Sequence, residues 1–280
     1  MPAGSDGTPY LIVGAAILLI LLMLYVRSRL NKRKPEVPGV RIGNGQTIGA
    51  RNEQDDYFAS TTTSIGTLAV LADGISGLAN GRMCSTLAVS TFLKNFLNVE
   101  HVRHIPYFLS ETARRVNSEI VEQLRGAQGG TTLVAGILNG DHLYWGAVGD
   151  SVILIYRQGE FLPVNPKHTY ENVLEQKYLS GEITKDEMEA NPKRRQLVNY
   201  LGYEQFQNME ISETPFPLKA GDKIIFCSDG VYNTLTEVEM EQILTGSGSP
   251  EESAQGMIDA IEAKGLHKQD NATVIILEKG

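Results

Sequence analysis

The most constraining feature of this sequence is a short apolar run that ends abruptly in a carboxylate. Residues 68–72 read Leu-Ala-Val-Leu-Ala and are followed at once by Asp73 and Gly74. Such a run is too short for a typical helix and is characteristic of a buried strand. An aspartate at a strand end, beside exposed backbone carbonyls, suits a hard cation that takes oxygen ligands. The same pattern also occurs in an ordinary turn before a helix.

The same arrangement, a carboxylate at a predicted strand end next to glycine or asparagine, recurs along the chain. The further examples are Asp150 after Gly149, Asp229 before Gly230, Asp270 before Asn271, and the pair Asp55 and Asp56. Like charges gathered at one rim would repel and would raise one another's pKa values unless cations neutralised them. Mg²⁺ or Mn²⁺ held by a few carboxylates meets that need. The pattern therefore indicates a divalent-metal site if these strand ends share one rim.

The order of predicted elements favours an α+β fold. Strands are predicted at 57–60, 67–72, 131–138, 142–148, 152–157, 223–227 and 272–277, and helices at 82–97 and 106–124. Asn44-Gly45 lies between residues 40–42 and 46–48, in which apolar residues alternate with polar ones, and is typical of a hairpin turn. Because the strands mostly meet through hairpins and the helices fall in separate blocks, we expect antiparallel sheets with helices packed outside them.

Residues 166–200 are polar and helical in character, and capping signals mark several helix starts. Thr184 with Glu187 and Thr236 with Glu239 match the capping box, in which each side chain satisfies a free backbone N–H group at the helix start. Ser249-Pro250 with Glu252 begins a further helix, which we expect to end at Gly265.

The N-terminal segment predicts a membrane anchor. Residues 10–26 are uncharged and would span roughly 25 Å as a helix, which is at the short end for a bilayer core. Asp6 is the only charged residue before them, whereas five basic residues follow, namely Arg27, Arg29, Lys32, Arg33 and Lys34. A cleaved signal peptide would carry positive charge before the apolar stretch, and this chain has none there. A helix buried in the soluble domain would need other residues packed around it, and the preceding residues could not cover it.

The positive-inside rule then gives the organisation of the chain. Residues 1–9 would be a short extracytoplasmic tail, 10–26 a single transmembrane helix, and 27–38 a basic juxtamembrane segment and linker. Residues 39–280 would form a cytoplasmic domain at the cell membrane.

Charge and cysteine content limit the functions of this domain. The chain has 25 basic and 33 acidic residues, and removing the five basic and one acidic residues of positions 1–34 leaves 20 and 32, a net charge of −12. Such a domain has no electrostatic footprint for nucleic acid. Cys84 and Cys227 are the only cysteines, which suggests no disulfide framework and fits a reducing compartment. Cys227 lies in an apolar predicted strand, so we expect it to be structural.

Six short motifs, in a shared order, resemble those of the type 2C metal-dependent Ser/Thr protein phosphatases in their compact bacterial form. The resemblance covers residues 39–280. Each family pattern has a counterpart in this chain. R-x-x-N-E-D appears as Arg51-Asn52-Glu53-Gln54-Asp55-Asp56, D-G-x-G-G as Asp73-Gly74-Ile75-Ser76-Gly77, and G-T-T as Gly130-Thr131-Thr132. G-D-S-R appears as Gly149-Asp150-Ser151-Val152, S-D-G as Ser228-Asp229-Gly230, and D-N-x-T as Asp270-Asn271-Ala272-Thr273.

The resemblance implies a four-layer α-β-β-α sandwich of two antiparallel sheets flanked by helices, with a flap at about 166–202. It also implies two bridged Mn²⁺ or Mg²⁺ ions and a weaker third. Asp73 resembles the bridging ligand and Gly74 a backbone carbonyl ligand. The remaining implied ligands are Asp56, Asp229 and Asp270 at the core ions, Asp55 through water, and Asp150 with Asp229 at the third ion.

The implied activity is hydrolysis of phosphoserine and phosphothreonine in proteins by a metal-activated water, with no covalent intermediate. Arg51 matches the residue that clamps the substrate phosphate, for which its planar guanidinium is suited. The implied partners are phosphorylated proteins, the substrates of a Ser/Thr kinase. The alternative is a catalytically weak, membrane-tethered module that binds phosphoproteins.

The sequence departs from the family at several places. Gln54 and Asp55 replace Asn and Glu, which keeps an amide and a carboxylate. Ile75 stands where some members carry a histidine proposed as general acid, and Val152 replaces an arginine. Residues 191–195, Asn-Pro-Lys-Arg-Arg, take the place of an H-P-x-R-N segment beside the flap, so the substrate contacts there are open.

Overall fold

The computed structural model describes Met23, residues 39–75 and residues 80–279. The strands are β1 Val40–Thr47, β2 Tyr57–Thr63, β3 Gly66–Ala72, β4 Leu133–Asn139, β5 His142–Val148, β6 Val152–Arg157, β7 Glu160–Pro163, β8 Glu210–Ile211, β9 Phe216–Pro217, β10 Lys223–Cys227 and β11 Ala272–Lys279. The helices are α1 Gly81–Phe96, α2 Ile105–Leu124, α3 Tyr170–Leu179, α4 Lys185–Glu189, α5 Asp229–Tyr232, α6 Glu237–Gly246 and α7 Pro250–Ala263.

The strands form two sheets, and the pairs within each are antiparallel. One sheet has the order β1-β11-β10-β6-β7 and the other β2-β3-β4-β5-β8, with the short β9 also paired to β5. The first and last of the described strands therefore lie side by side in the first sheet, because β1 and β11 pair along their whole lengths.

Three apolar clusters hold four layers together. Side chains such as Leu71, Phe226 and Ile275 fill the space between the sheets. A second cluster, which includes Leu68 and Phe92, packs one sheet against α1 and α2, and a third packs the other sheet against α6 and α7. The predicted α-β-β-α sandwich is therefore confirmed.

Strand β3 is buried along its whole length because both of its faces are covered. Ala69 and Leu71 point to the inter-sheet core, whereas Leu68 and Val70 pack toward the helices. Side chains alternate between the two faces of a strand, so two covered faces require a continuous apolar run. This explains why residues 68–72 carry no polar residue before Asp73.

The hairpin predicted at Asn44-Gly45 is wrong. Residues 40–47 form the single strand β1, and Asn44 pairs with Ile275 of β11. The glycines serve helix packing: a Cβ on Gly43 would lie 2.0 Å from the carbonyl oxygen of Pro250, and one on Gly45 would lie 2.7 Å from Ile258 of α7. Glycine at these two places lets α7 approach the strand closely.

The capping boxes at Thr184 and Thr236 are both present, and the Ser249 side chain accepts a hydrogen bond from the Glu252 N–H group. These signals are local, so the sequence alone was sufficient to locate them.

In the part of the chain that the structure describes, no helix is long and apolar enough to cross a bilayer. The predicted span at 10–26 lies, apart from Met23, outside the described residues.

Gly43→Ala should destabilise the domain strongly, because its Cβ would be forced against the backbone of α7. Overpacking of this kind costs about 1–3 kcal/mol, and more where backbone must move, so we expect a loss at the upper end of that range. Urea unfolding followed by circular dichroism measures it. Gly39→Ala is the matched control, since no atom lies within 4 Å of its Cβ position. Equal stabilities of the two variants would contradict the packing account.

Candidate metal centre

The antiparallel pairing brings the predicted carboxylates to one rim of the sandwich. Asp73 follows the end of β3, and Asp56 lies just before β2, the strand that pairs with β3. Asp229 follows β10, and Asp270 lies just before its neighbour β11. Because antiparallel neighbours place the end of one strand beside the start of the next, each sheet contributes two carboxylates to the same region.

Asp73 is held by two threonines of the neighbouring strand start. Its N–H group donates to Thr132 Oγ1 at 3.1 Å, and its carbonyl oxygen accepts from the Thr132 N–H group at 2.8 Å and from Thr131 Oγ1 at 2.9 Å. The Gly-Thr-Thr motif therefore fixes the backbone of Asp73 and leaves its carboxylate directed away from these contacts.

Asp56 is almost completely buried and has one unsatisfied oxygen. Its Oδ2 accepts a 2.8 Å hydrogen bond from Ser228 Oγ, which in turn accepts from the Thr273 N–H group at 3.0 Å. Its Oδ1 is buried and has no hydrogen-bond partner among the described residues. A buried unpartnered carboxylate oxygen is costly, and a bound cation would remove that cost.

The carboxylates perturb one another strongly. Burial, followed by the negative charges of Asp56 and Asp229, raises the pKa of Asp73 well above its usual range. Burial also raises the pKa of Asp56 to about 6 and that of Asp229 to about 7. At neutral pH the cluster therefore retains protons unless divalent cations compensate the charge.

Asp270 completes the rim and carries an ion pair with Arg51. The Arg51 Nη2 atom lies 2.6 Å from Asp270 Oδ2, and both side chains are partly exposed. Arg51 thus lies at the partly exposed edge of the carboxylate cluster. Its predicted role as phosphate clamp stays a prediction.

Gly74 and Asp55 are joined to the start of α1. The Gly74 N–H group donates to the Asp55 carbonyl at 3.2 Å, and a Cβ on Gly74 would lie 2.5 Å from the backbone of Gly81. The Asp55 carboxylate accepts a hydrogen bond from the Arg82 N–H group, while burial raises the pKa of Asp55. Asp55 therefore also acts as an anion at a helix N-terminus.

Asp150 follows Gly149, whose φ of +94° favours glycine. Tyr232 donates to the Asp150 carbonyl at 3.1 Å, and Lys167 Nζ lies 3.5 Å from the centroid of the Tyr232 ring. Burial raises the pKa of Asp150, and the positive charge of Lys167 opposes that rise. The positive charge of Lys167 therefore acts on Asp150, the residue that the family resemblance assigns to a third ion.

Asn271 ties the loop before β2 to the rim. Its Nδ2 donates to the carbonyls of Ile48 at 2.9 Å and Glu53 at 3.0 Å, and its Oδ1 accepts from the Asp55 N–H group at 2.8 Å. Gly230 lies so close that a Cβ there would be 1.9 Å from the Asn271 carbonyl oxygen. Asn271 therefore positions the loop before β2, and Gly230 allows the backbone of Asn271 to approach closely.

A cleft of about 360 Å³ lies over the carboxylates. Asp73, Asp150, Asp229 and Asp270 line it, together with Ile75, Thr132 and the segment that carries Arg195, Gln196, Leu197 and Tyr200. That segment follows α3 and α4 within the predicted flap. The predicted cluster and the predicted flap therefore enclose one space.

The residues fit a site for divalent cations, because the negative charges of Asp56, Asp229, Asp150 and Asp270 all act on Asp73 and the buried Oδ1 atom of Asp56 has no hydrogen-bond partner among the described residues. Within the described residues, no three of these side chains already meet in a ligand arrangement around a single point. The individual ligand assignments therefore stay predictions.

Sequence reasoning missed Lys167 and Tyr232 as neighbours of the site, because no local signal marked them. It left open the substrate contacts of residues 191–195, and the structure places Arg195 of that segment in the cleft wall. Cys227 is buried in the core of β10, and burial raises the pKa of its thiol to about 12. Its burial fits the structural role expected of it. Val152, the departure after Gly-Asp-Ser, begins β6 and is buried opposite Cys227.

The fold is a two-sheet sandwich with an acidic cleft at one rim, and comparison with known proteins identifies the family. Residues 43–269 match the family model described as Protein phosphatase 2C. The chain therefore belongs to the protein phosphatase 2C family of serine/threonine protein phosphatases.

Individual relatives agree. The chain is 30% identical over 219 residues to the serine/threonine phosphatase stp of Listeria innocua, covering 76% of this chain and 84% of that protein. The serine/threonine phosphatase of S. agalactiae superposes with a TM-score of 0.77 at 24% identity, covering 86% of this chain and all of that one. The catalytic domain of the phosphatase PstP, in complex with two manganese ions, superposes with a TM-score of 0.67 at 24% identity, covering 85% and 97%.

Without metal, the stability of the folded domain should fall as the pH rises through the carboxyl pKa values. Between an ordinary carboxyl pKa of about 4 and the raised values of about 6 for Asp56 and about 7 for Asp229, the folded state binds more protons than the unfolded chain. The free energy of unfolding then decreases with pH.

Urea unfolding in EDTA, from about pH 5 to about pH 8, tests this. Asp229→Asn should flatten the profile, whereas Asp259→Asn, on the exposed face of α7, should keep the wild-type slope. Mn²⁺ should stabilise the wild-type domain most at the upper end of the range. Identical slopes for the two variants would show that charge repulsion in the cluster is not the cause.

Proposed function

We propose that this chain removes phosphate from phosphoserine and phosphothreonine in proteins, with two divalent ions held by the carboxylate rim. The observations that support the proposal are the electrostatic proximity of carboxylates from both sheets at one rim and the buried Asp56 oxygen that has no hydrogen-bond partner among the described residues. When bound, Mn²⁺ or Mg²⁺ supplies activation of a water molecule and neutralises charge at the phosphate. The PstP relative, a phosphatase that has been seen with two manganese ions, supports this choice of cofactor.

The residues of this chain have distinct roles in the proposal. Asp73 would be the ligand common to the two ions, Gly74 would contribute its carbonyl, and Asp56, Asp229 and Asp270 would complete the core ligands. Asp55 contributes through water, and Asp150 with Asp229 holds the weaker third ion.

Other groups bind and orient the substrate and the ligands. Arg51 binds phosphate oxygens at the entrance, after exchanging its contact with Asp270 for one with the substrate. Ser228 and Thr132 hold Asp56 and Asp73 in position. Ile75 has no titratable group, so in this proposal a water molecule protonates the leaving group.

Asp73→Asn should abolish most of the activity while the domain stays folded, because a neutral amide is a poor ligand for a divalent ion. We expect a loss in kcat/KM of about a hundredfold or more, the scale of removing one preorganised electrostatic group. Hydrolysis of a phosphothreonine peptide in Mn²⁺, with an EDTA control, measures this. Asp150→Asn should act mainly at higher metal concentration, through the third ion.

Asp259→Asn serves as the matched control and should retain wild-type turnover. Near-normal Mn²⁺-dependent turnover by Asp73→Asn would show that Asp73 is not the bridging ligand. Binding of phosphopeptides by wild-type protein without any hydrolysis would favour a phosphoprotein-binding module instead.

We also propose that residues 10–26 anchor the phosphatase in the cell membrane, with the catalytic domain in the cytoplasm. The uncharged segment and the five basic residues that follow it support this orientation. The substrates would then be phosphoproteins at the cytoplasmic face, modified by a Ser/Thr kinase.

The full chain should remain with membranes after a high-salt wash, and a reporter fused after Gly280 should be cytoplasmic. Replacing Leu18 and Leu22 by Lys should release the protein, because a charge at the centre of a membrane helix is costly. Release of the wild-type chain by salt, or an extracytoplasmic reporter, would contradict the proposed anchor.

A further inference from the structure

One wall of the cleft carries a positive charge. Among the described residues that line the cleft, Arg195 is the one cation, and the other charged residues there are aspartates. The arginine is exposed. A guanidinium at the edge of an acidic cleft is well placed to meet an anion that enters with metal ions.

The backbone around Arg195 is fixed on both sides. The Gln196 carbonyl accepts from the Tyr170 N–H group at 2.8 Å, and the Val198 N–H group donates to the His168 carbonyl at 2.9 Å. Further along, Leu201 and Thr131 exchange two 2.9 Å hydrogen bonds. Thr131 also bonds the Asp73 carbonyl, so the wall is connected directly to the carboxylate rim.

The neighbouring arginine has a structural partner, whereas Arg195 does not. Arg194 Nε lies 3.0 Å from Glu171 Oε1, and the Arg194 carbonyl accepts from the Glu171 N–H group at 2.8 Å. Within residues 39–75 and 80–279, Arg195 forms no ion pair and no side-chain hydrogen bond. Its guanidinium is therefore available to a ligand, while that of Arg194 holds the flap.

We propose that Arg195 binds the phosphate group of the substrate from the flap side of the cleft. The inference rests on the proposed function, since the ligand is the phosphate of a phosphoprotein. A phosphate presents three acceptor oxygens, and a guanidinium donates two parallel hydrogen bonds to such a group. Arg51 is already bonded to Asp270, so Arg195 offers the donors that are free before the substrate arrives.

Inorganic phosphate is the direct probe, because its binding does not require turnover. Calorimetry on the Mn²⁺-loaded full chain in detergent should show that Arg195→Ala weakens phosphate binding by about ten- to a hundredfold, the scale of charge-assisted hydrogen bonds. Arg195→Lys should recover part of the affinity, since an ammonium keeps the charge and loses the planar double contact.

Arg194→Ala is the matched control and should change phosphate affinity by no more than about twofold, as expected for an exposed ion pair. In steady-state assays, Arg195→Ala should raise the KM for a phosphothreonine peptide more than it lowers kcat. Mn²⁺ affinity and the thermal unfolding temperature, measured for each variant, should match the wild type.

Unchanged phosphate affinity in Arg195→Ala would overturn the inference. Equal weakening by Arg194→Ala and Arg195→Ala would overturn it as well, because integrity of the flap would then be the cause. Arg195-dependent phosphate binding without any hydrolysis of phosphopeptides would contradict the proposed function and support the role of Arg195.

Discussion

Repulsion between buried carboxylates is the constraint on which the rest of this structure depends. Burial raises the pKa of Asp73, Asp56 and Asp229, and nearby negative charges add to the rise: those of Asp56 and Asp229 act on Asp73, and those of Asp150 and Asp270 act on Asp229. The folding of two large apolar sheets supplies the free energy that holds these groups together. Divalent cations bound by these carboxylates would neutralise their charges and so remove the repulsion.

The scaffold controls the cluster mainly through small polar groups next to the carboxylates. Ser228 and Thr132 each bond the side chain or backbone of one aspartate, and Asn271 bonds three backbone groups around the loop before β2. The contacts of Ser228 and Asn271 link one sheet to the residues before β2 of the other. The short motifs of the sequence therefore contain both the acidic residues and the residues that position them.

Local patterns were sufficient to predict the acidic strand ends and antiparallel sheets with helices outside them, whereas the four-layer order came from the family resemblance. An apolar run that ends in Asp73 indicates a strand end, and its continuous hydrophobicity indicates that both faces are covered. The glycines at 43 and 45 were misinterpreted, because their reason is the close approach of α7, which lies more than 200 residues away in the chain. A turn signal and a packing glycine have the same local sequence.

The positions of Lys167 and Arg195 near the cleft could not be predicted from the sequence, because they too depend on tertiary contacts. Each lies in a polar segment with many charged residues, and only the tertiary contacts of the flap show which of them approach the cleft. Arg194 and Arg195 are identical in type and adjacent in sequence. The ion pair of Arg194 with Glu171 distinguishes them only once α3 is in place.

Anomalous diffraction from crystals of the Mn²⁺-loaded protein tests the central claim most directly, because it locates the ions themselves. The account predicts two strong manganese peaks that share the Asp73 carboxylate, with Asp56, Asp229 and Asp270 around them. It also predicts that the Asp56 Oδ1 atom, unsatisfied without metal, contacts one of the two ions. Manganese peaks outside this rim, or a rim that binds no manganese while the protein hydrolyses phosphopeptides, would contradict the account.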